Sequence, residues 1–108
     1  MAKGESMVEE VLDIVVDRIV KTANPDKIIL FGSRSRGQEE PFSDYDLLVL
    51  KRGIYNRRAL AHQIYRSLVD IAAAVDILVE TPEKIEKYQY LRGSVYVEAA
   101  KGRVVYER

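Results

Sequence analysis

The sequence predicts an α/β fold of the α+β kind, in which helices pack on a mixed β-sheet. Two features of the pattern carry this prediction. Short apolar runs bounded by turn residues are typical of strands, and the stretches between them repeat apolar residues at the spacing of amphipathic helices. The order along the chain is helix, strand, helix, strand, helix, strand, helix, helix, strand. With 108 residues and no visible repeat or linker, residues 1–108 are expected to form a single domain around one core.

The first predicted helix covers residues 7–22. Ser6 and Glu9 have the spacing of a capping box at its start. Asn24 should end the helix, because a residue that precedes proline avoids the helical conformation. The apolar stripe of this helix indicates packing on a core, and it comprises Val8, Val11, Leu12, Val15, Val16, Ile19 and Val20.

The first predicted strand, residues 27–31, is almost entirely apolar, as expected of a strand that is covered on both faces. A helix should follow Gly32, and it must be brief because Gly37 and Pro41 interrupt the next residues. Residues 38–43 are then expected to form a loop.

A second strand is predicted at residues 46–50, and a turn at residues 51–53 leads into a helix from Asn56 to about Ile71. A third strand follows at residues 75–79. The polar side of this helix carries three arginines, which either form a solvated face or contact a triphosphate or a partner: Arg57, Arg58 and Arg66.

The C-terminal part is predicted to contain two short helices and a last strand. Thr81-Pro82-Glu83 is a strong helix start, since it offers a capping hydroxyl, a proline at the first position and an acid in the first turn. A break near residues 92–94 precedes a helix at residues 95–101, and residues 104–106 can form a final short strand.

Composition limits the class of protein. Lysine plus arginine equals aspartate plus glutamate, 17 each, so the net charge of +0 argues against a broad nucleic-acid-binding surface and against a template-dependent polymerase. No apolar run approaches the length of a membrane span, and no secretory signal is visible. Together with the absence of cysteine, this favours a cytoplasmic protein without direct nucleic-acid or membrane partners.

The chemistry is expected where the first strand ends and the second begins. Asp44 and Asp46 are spaced to project from the same face of a strand. Two carboxylates this close repel unless a cation lies between them, and magnesium is a natural choice. Gly32 has no Cβ to keep a phosphate away from the backbone, and a helix that opens at Ser33 would direct free N–H groups at that phosphate. This combination indicates nucleotide chemistry.

The spacing of these motifs resembles the signature of the DNA polymerase β-like nucleotidyltransferase superfamily: Gly-Ser, ten residues, then Asp-x-Asp. The fuller pattern is similar to the minimal nucleotidyltransferases (MNT proteins) of prokaryotes. The likeness covers nearly the whole chain and is carried by Gly32-Ser33, Arg36-Gly37, Ser43-Asp44-Tyr45-Asp46-Leu47, the strand Val75-Asp76-Ile77-Leu78-Val79 and the tail from Thr81 to Tyr106.

The resemblance implies a set of site residues. Asp44 and Asp46 are the expected metal ligands, and Asp76 is the third carboxylate, so that all three are expected to be catalytic and to contact Mg²⁺ in a two-metal site. Gly32 and Ser33 are expected to hold the outer phosphates of a nucleoside triphosphate.

Two arginines of the same stretch are also expected to take part in the site. Arg34 and Arg36 are both expected in the nucleotide-binding segment, where either could pair with a phosphate. Arg36 could equally brace a carboxylate, and the sequence leaves this choice open.

The resemblance further implies an activity and a partner. The expected reaction transfers a nucleoside monophosphate, AMP from ATP, to an acceptor hydroxyl and releases pyrophosphate. A chain of 108 residues has little room for an acceptor domain, so the acceptor should come from another protein or from a second copy. MNT proteins of this type are paired with HEPN-domain toxins, as antitoxins that adenylylate a toxin tyrosine. Two alternatives stay open: neutralisation of a partner by contact alone, and a subunit of a small-molecule nucleotidyltransferase of the aminoglycoside-modifying kind.

Overall fold

The structure is a computed structural model that describes residues 3–32 and 44–108. The described elements are α1 (Lys3–Ala23), β1 (Lys27–Phe31), β2 (Tyr45–Leu50), α2 (Arg57–Ser67), β3 (Val75–Glu80), α3 (Pro82–Tyr88), α4 (Val95–Ala100) and β4 (Arg103–Glu107). The brief helix predicted after Gly32 and the loop predicted at residues 38–43 lie outside the described residues. The other predicted elements are confirmed, with differences at two helix ends. In the described part of the chain, no helix has both the length and the apolar composition needed to cross a bilayer.

The first helix is longer than its predicted range. Because α1 begins at Lys3, Ser6 lies inside the helix, and the predicted capping box at its start is wrong. The predicted end is confirmed: Asn24, just after α1, has a positive φ of 48°, which turns the chain out of the helix before Pro25.

The second helix is shorter than predicted, since α2 ends at Ser67 rather than near Ile71. Arg18 of α1 explains the early end. Its Nη1 donates to the carbonyl oxygen of Ser67 at 2.7 Å, and its guanidinium also binds both carboxylate oxygens of Asp70, at 2.7 and 2.8 Å. A cation that binds the last carbonyl of a helix is stabilising there. This contact joins residues far apart in sequence, so the helical pattern of α2 alone could not reveal it.

The four strands form the predicted mixed sheet, in the order β3-β2-β1-β4. The central strand β1 is antiparallel to both β2 and β4, whereas β2 and β3 are parallel. The connection between the parallel strands runs through α2, as parallel pairing requires.

Apolar side chains cover both faces of the sheet. On one face α1 and α2 enclose the larger core, formed by Leu12, Val15, Val16, Ile19, Ala23, Ile28, Leu30, Tyr45, Leu47, Val49, Ile64, Leu68 and Val79. On the other face, buried side chains of α3 and α4 pack on the sheet, in a cluster formed by Ile29, Leu48, Leu50, Ile85 and Ala99. Alternate residues of β2 thus enter different cores, which fixes the face to which every residue of this strand points.

One charged side chain among the described residues is buried: Glu80, at the end of β3, is 1 % exposed. The Arg57 guanidinium forms an ion pair with it, the Tyr96 hydroxyl donates to it at 2.6 Å, and the Lys84 ammonium lies 3.4 Å away. Burial acts to raise the pKa of Glu80, but the hydrogen bond from Tyr96 and the charges of Arg57 and Lys84 outweigh it, so that the pKa is lowered. Glu80 therefore joins α2, α3 and α4 to the end of the sheet.

Removing this charge should destabilise the domain in a pH-dependent way. In Glu80→Gln, the Arg57 ion pair is lost, and we expect the free energy of unfolding near pH 7 to fall by about 1–3 kcal/mol. Because the pKa of Glu80 is lower in the folded state, its contribution is present above the unfolded pKa of about 4.3 and is lost as the pH falls through the folded value. Urea unfolding at several pH values should show the gap between wild type and variant closing in acid.

Glu86→Gln is the matched control, because Glu86 is an exposed acid of the same helix that Lys84 occupies. It should change the unfolding free energy by no more than about 0.5 kcal/mol. A gap between wild type and Glu80→Gln that stays constant from neutral to acid pH would contradict the assigned role of the Glu80 charge.

Candidate active site

Two of the predicted site carboxylates meet across the parallel strands. In the β2–β3 register, Asp46 lies directly opposite Asp76. Side chains opposite each other in a sheet point to the same face. Asp44 lies one residue before β2 and is exposed, so the three acids occupy one end of these two strands.

The electrostatics of Asp46 show that these charges influence one another. Burial raises the pKa of Asp46, and the negative charges of Asp76 and Asp44 raise it further. Each of these effects disfavours the ionised carboxylate. Neighbouring carboxylates repel one another when no cation is bound. A bound cation would offset this repulsion and stabilise the ionised carboxylates.

Asp46 and Asp76 lie on the sheet face on which α3 and α4 pack, at the start of their strands. Leu48 and Leu78 follow Asp46 and Asp76 by two residues and pack in the cluster beneath α3 and α4. Asp46 itself is half-buried and Asp76 is exposed. Among the described residues, these two helices therefore cover the far half of the strands, while Asp76 at the acidic end stays exposed.

Gly32 lies against the Asp46 carboxylate. It follows Phe31, which pairs with Asp46 across β1 and β2, and it has a positive φ of 75°. A Cβ at this position would overlap the Oδ2 atom of Asp46 and lie 3.3 Å from its Cγ. Glycine is thus required here by both backbone conformation and space, and the backbone at the end of β1 directly adjoins the acidic cluster.

Three predicted nucleotide-binding residues lie outside the described residues: Ser33, Arg34 and Arg36. Their expected contacts with phosphates, and the choice between phosphate and carboxylate for Arg36, stay predictions.

The donor set fits magnesium that is shared with a substrate. Over residues 3–32 and 44–108, no three acidic, histidine or cysteine side chains are gathered into a group that could hold a metal by itself. Magnesium usually binds through one or two carboxylates and completes its coordination with phosphate oxygens and water. Asp46 beside the Gly32 backbone, and Asp44 two residues before it, would provide carboxylate oxygens of this kind, with Asp76 opposite Asp46 as the third acid. The residues therefore match a metal–nucleotide complex better than a preformed protein cage.

Two contacts between α2 and β3 were not singled out by the sequence. The Tyr65 hydroxyl of α2 accepts a hydrogen bond from the backbone N–H of Ile77, next to Asp76, at 2.8 Å. Arg57, for which the sequence left a solvated face or a phosphate contact open, pairs instead with Glu80. Both contacts depend on how α2 crosses the edge of β3, and a single sequence carries no signal for that crossing.

Comparison with known proteins places this geometry in a family. Residues 15–108 match the family model described as Polymerase beta, Nucleotidyltransferase. The chain is 36% identical over 67 residues to a candidate protein adenylyltransferase of Methanocaldococcus jannaschii, a match that covers 60% of this chain and 46% of the relative. The chain thus matches less than half the length of that relative.

Solved structures show the same fold. A mutant MntA–HpeT toxin–antitoxin structure superposes with a TM-score of 0.55 at 19% identity, covering 89% of this chain and 73% of the other. A toxin–antitoxin structure with AMP-PNP superposes with a TM-score of 0.53 at 20% identity, covering 87% and 72%. These likenesses confirm the predicted nucleotidyltransferase fold. With the family model matching most of its length, this chain belongs to the polymerase beta nucleotidyltransferase family.

Proposed function

We propose that this protein transfers AMP from ATP to a hydroxyl of a partner protein and thereby acts as an antitoxin. The observation that carries the proposal is the register of β2 and β3, which sets Asp46 opposite Asp76 with the Gly32 backbone against the Asp46 carboxylate. Two comparisons support the substrate: the similar protein of Methanocaldococcus jannaschii is named as a candidate protein adenylyltransferase, and one structure of the same fold is described with AMP-PNP.

Each residue of the site would have a separate role. Asp44 and Asp46 would hold magnesium, which supplies positive charge to the triphosphate and to the attacking and leaving oxygens. Because Gly32 has no Cβ, the Asp46 carboxylate lies against its backbone, and a phosphate held by the magnesium would lie close to this backbone. Asp76 lies on β3, the edge strand of the described sheet, where an acceptor hydroxyl can approach from solvent.

In the proposed reaction, the acceptor oxygen forms a bond to the α-phosphorus of ATP while the bond to pyrophosphate breaks. The Asp76 carboxylate would orient the acceptor hydroxyl and accept its proton. General-base catalysis of this kind contributes about 10²–10⁴-fold to a rate. The two other carboxylates, Asp44 and Asp46, would stay ionised and hold the magnesium that contacts the substrate phosphates.

The proposed acceptor is a tyrosine of a HEPN-domain toxin. The family resemblance names this partner, and both structures of the same fold are described as toxin–antitoxin proteins. A tyrosine that receives AMP gains a negative charge and considerable bulk. If this tyrosine borders an RNA-binding surface, the added charge repels the RNA backbone, because phosphate contacts dominate such binding.

Gly32→Ala tests the contact between the glycine backbone and the acidic cluster. The new methyl group should displace the Asp46 carboxylate, and we expect the affinity for magnesium–ATP to fall by at least about tenfold, or 1.4 kcal/mol. Gly53→Ala is the matched control: its φ of 68° imposes the same backbone strain, but nothing lies within 4 Å of the added Cβ. Isothermal titration should separate the two variants, and equal losses of affinity would contradict the proposed contact.

Asp44 and Asp46 should also determine how strongly magnesium with ATP stabilises the folded protein. Magnesium with ATP at about a hundredfold excess over Kd should stabilise the folded chain by about 2.7 kcal/mol, which raises Tm by on the order of 10 °C. The variant Asp44→Asn/Asp46→Asn should lose this increase. Glu10→Gln/Asp13→Asn is the control, since it removes two exposed charges of α1 and should retain the increase. An equal Tm increase in all three proteins would rule out the metal assignment.

Transfer to a partner is tested by co-expression with a candidate HEPN-domain toxin. Intact-mass measurement should show AMP-sized additions to the toxin with the wild type and with Asp13→Asn, but none with Asp46→Asn. Peptide mapping should place the additions on tyrosine, and growth should recover only when they are present. If Asp46→Asn neutralises the toxin equally well without added mass, the protein acts by contact alone. If no toxin is bound or modified, the small-molecule alternative becomes the leading one.

A further inference from the structure

The strand that carries Asp76, β3, pairs with another strand on one side only. Within the described sheet, β3 has β2 as its single strand partner, so the outer edge of β3 would present unpaired backbone groups. The chain reaches β3 from α2 through residues 68–74, which lie outside any helix or strand. On its inner side β3 pairs with β2 from Val75 onward, which leaves its outer edge to other contacts.

Tyr65 supplies a contact to this outer edge. Its neighbour Ile64 is fully buried in the core between α2 and the sheet, which anchors this turn of the helix. The Tyr65 side chain, 40 % exposed, extends to the edge strand, and its hydroxyl accepts the hydrogen bond of the Ile77 N–H at 2.8 Å. The phenol oxygen takes the role that a carbonyl of a further strand would have.

The position of this hydrogen bond matters for the active site. The N–H of Ile77 belongs to the peptide unit that also contains the carbonyl of Asp76, so the bond fixes the plane of that peptide. The orientation of this plane sets the backbone angle of Asp76 and thus the direction of its side chain. Because Asp76 is exposed, its placement depends on the backbone, while the negative charges of the cluster act to push it outward.

We infer that Tyr65 is a positioning residue: its hydroxyl holds the Asp76–Ile77 peptide so that the Asp76 carboxylate faces Asp46. The structural part of this inference is independent of the reaction, and its catalytic part rests on the proposed function. Tyr65→Phe removes one oxygen and keeps the ring, so packing should change little. Tyr55→Phe makes the same chemical change on a fully exposed ring and is the matched control.

The structural test is amide hydrogen exchange followed by NMR. In Tyr65→Phe, the Ile77 amide should exchange about fivefold to tenfold faster than in wild type, as expected for the loss of one hydrogen bond. The backbone and carboxylate signals of Asp76 should shift as well, while Tyr55→Phe leaves both unchanged. Unchanged exchange at Ile77, or unchanged Asp76 signals, would overturn the inference.

The catalytic test compares Tyr65→Phe in two backgrounds. With Asp76 present, kcat for AMP transfer should fall by about tenfold, whereas the Kd for magnesium–ATP stays at the wild-type value. With Asp76→Asn, the second substitution should cause no further loss, because residues that act through one another are not additive. An equal loss in both backgrounds would overturn the positioning role and leave a general structural one. If wild type transfers no AMP, the proposed function fails, and the NMR result alone decides the inference.

Discussion

The parallel register of β2 and β3 is the constraint on which the site depends. It sets two carboxylates, Asp46 and Asp76, side by side, an arrangement that repulsion disfavours in a protein without bound cation. The surrounding strands offset this cost by burial: Leu47 and Val49 enter one core, and Leu48 enters the other. A strand that is buried on both faces cannot shift in response to charge. The sheet thus keeps the acids together and leaves their neutralisation to a ligand.

Two acids on the same face of β3 lie in different environments. Asp76, at the start, is exposed, whereas Glu80, at the end, is buried and receives an arginine, a lysine and a tyrosine hydroxyl. One apolar residue separates the two acids on this face, since Leu78 lies between them. The protein itself satisfies the acid that joins its helices. The acid that the protein leaves exposed, Asp76, is the one proposed to act on a substrate, and Glu80 is the structural one.

Much of the fold and of the site follows from local pattern. The strands and the start of α3 at Thr81-Pro82 were predictable, because periodicity and turn residues are local signals. Contacts between distant residues were not. Arg18 ends α2 from another helix, and Tyr65 reaches β3 across its edge. These interactions depend on how helices cross the sheet, a property that no short stretch of sequence encodes.

The spacing between Gly32 and Asp46 is related to the pairing of β1 with β2. Gly32 follows the residue that pairs with Asp46 across antiparallel strands, so the two parts of the motif lie side by side on the sheet although they are separated in sequence. A slip of one residue would turn Asp46 toward the core beneath α1 and α2, where its neighbours Leu47 and Val49 are fully buried. Burying an unpaired carboxylate there would be strongly unfavourable. The alternation of acids with apolar residues in β2 therefore fixes the register, and the register brings glycine and carboxylates together as one site.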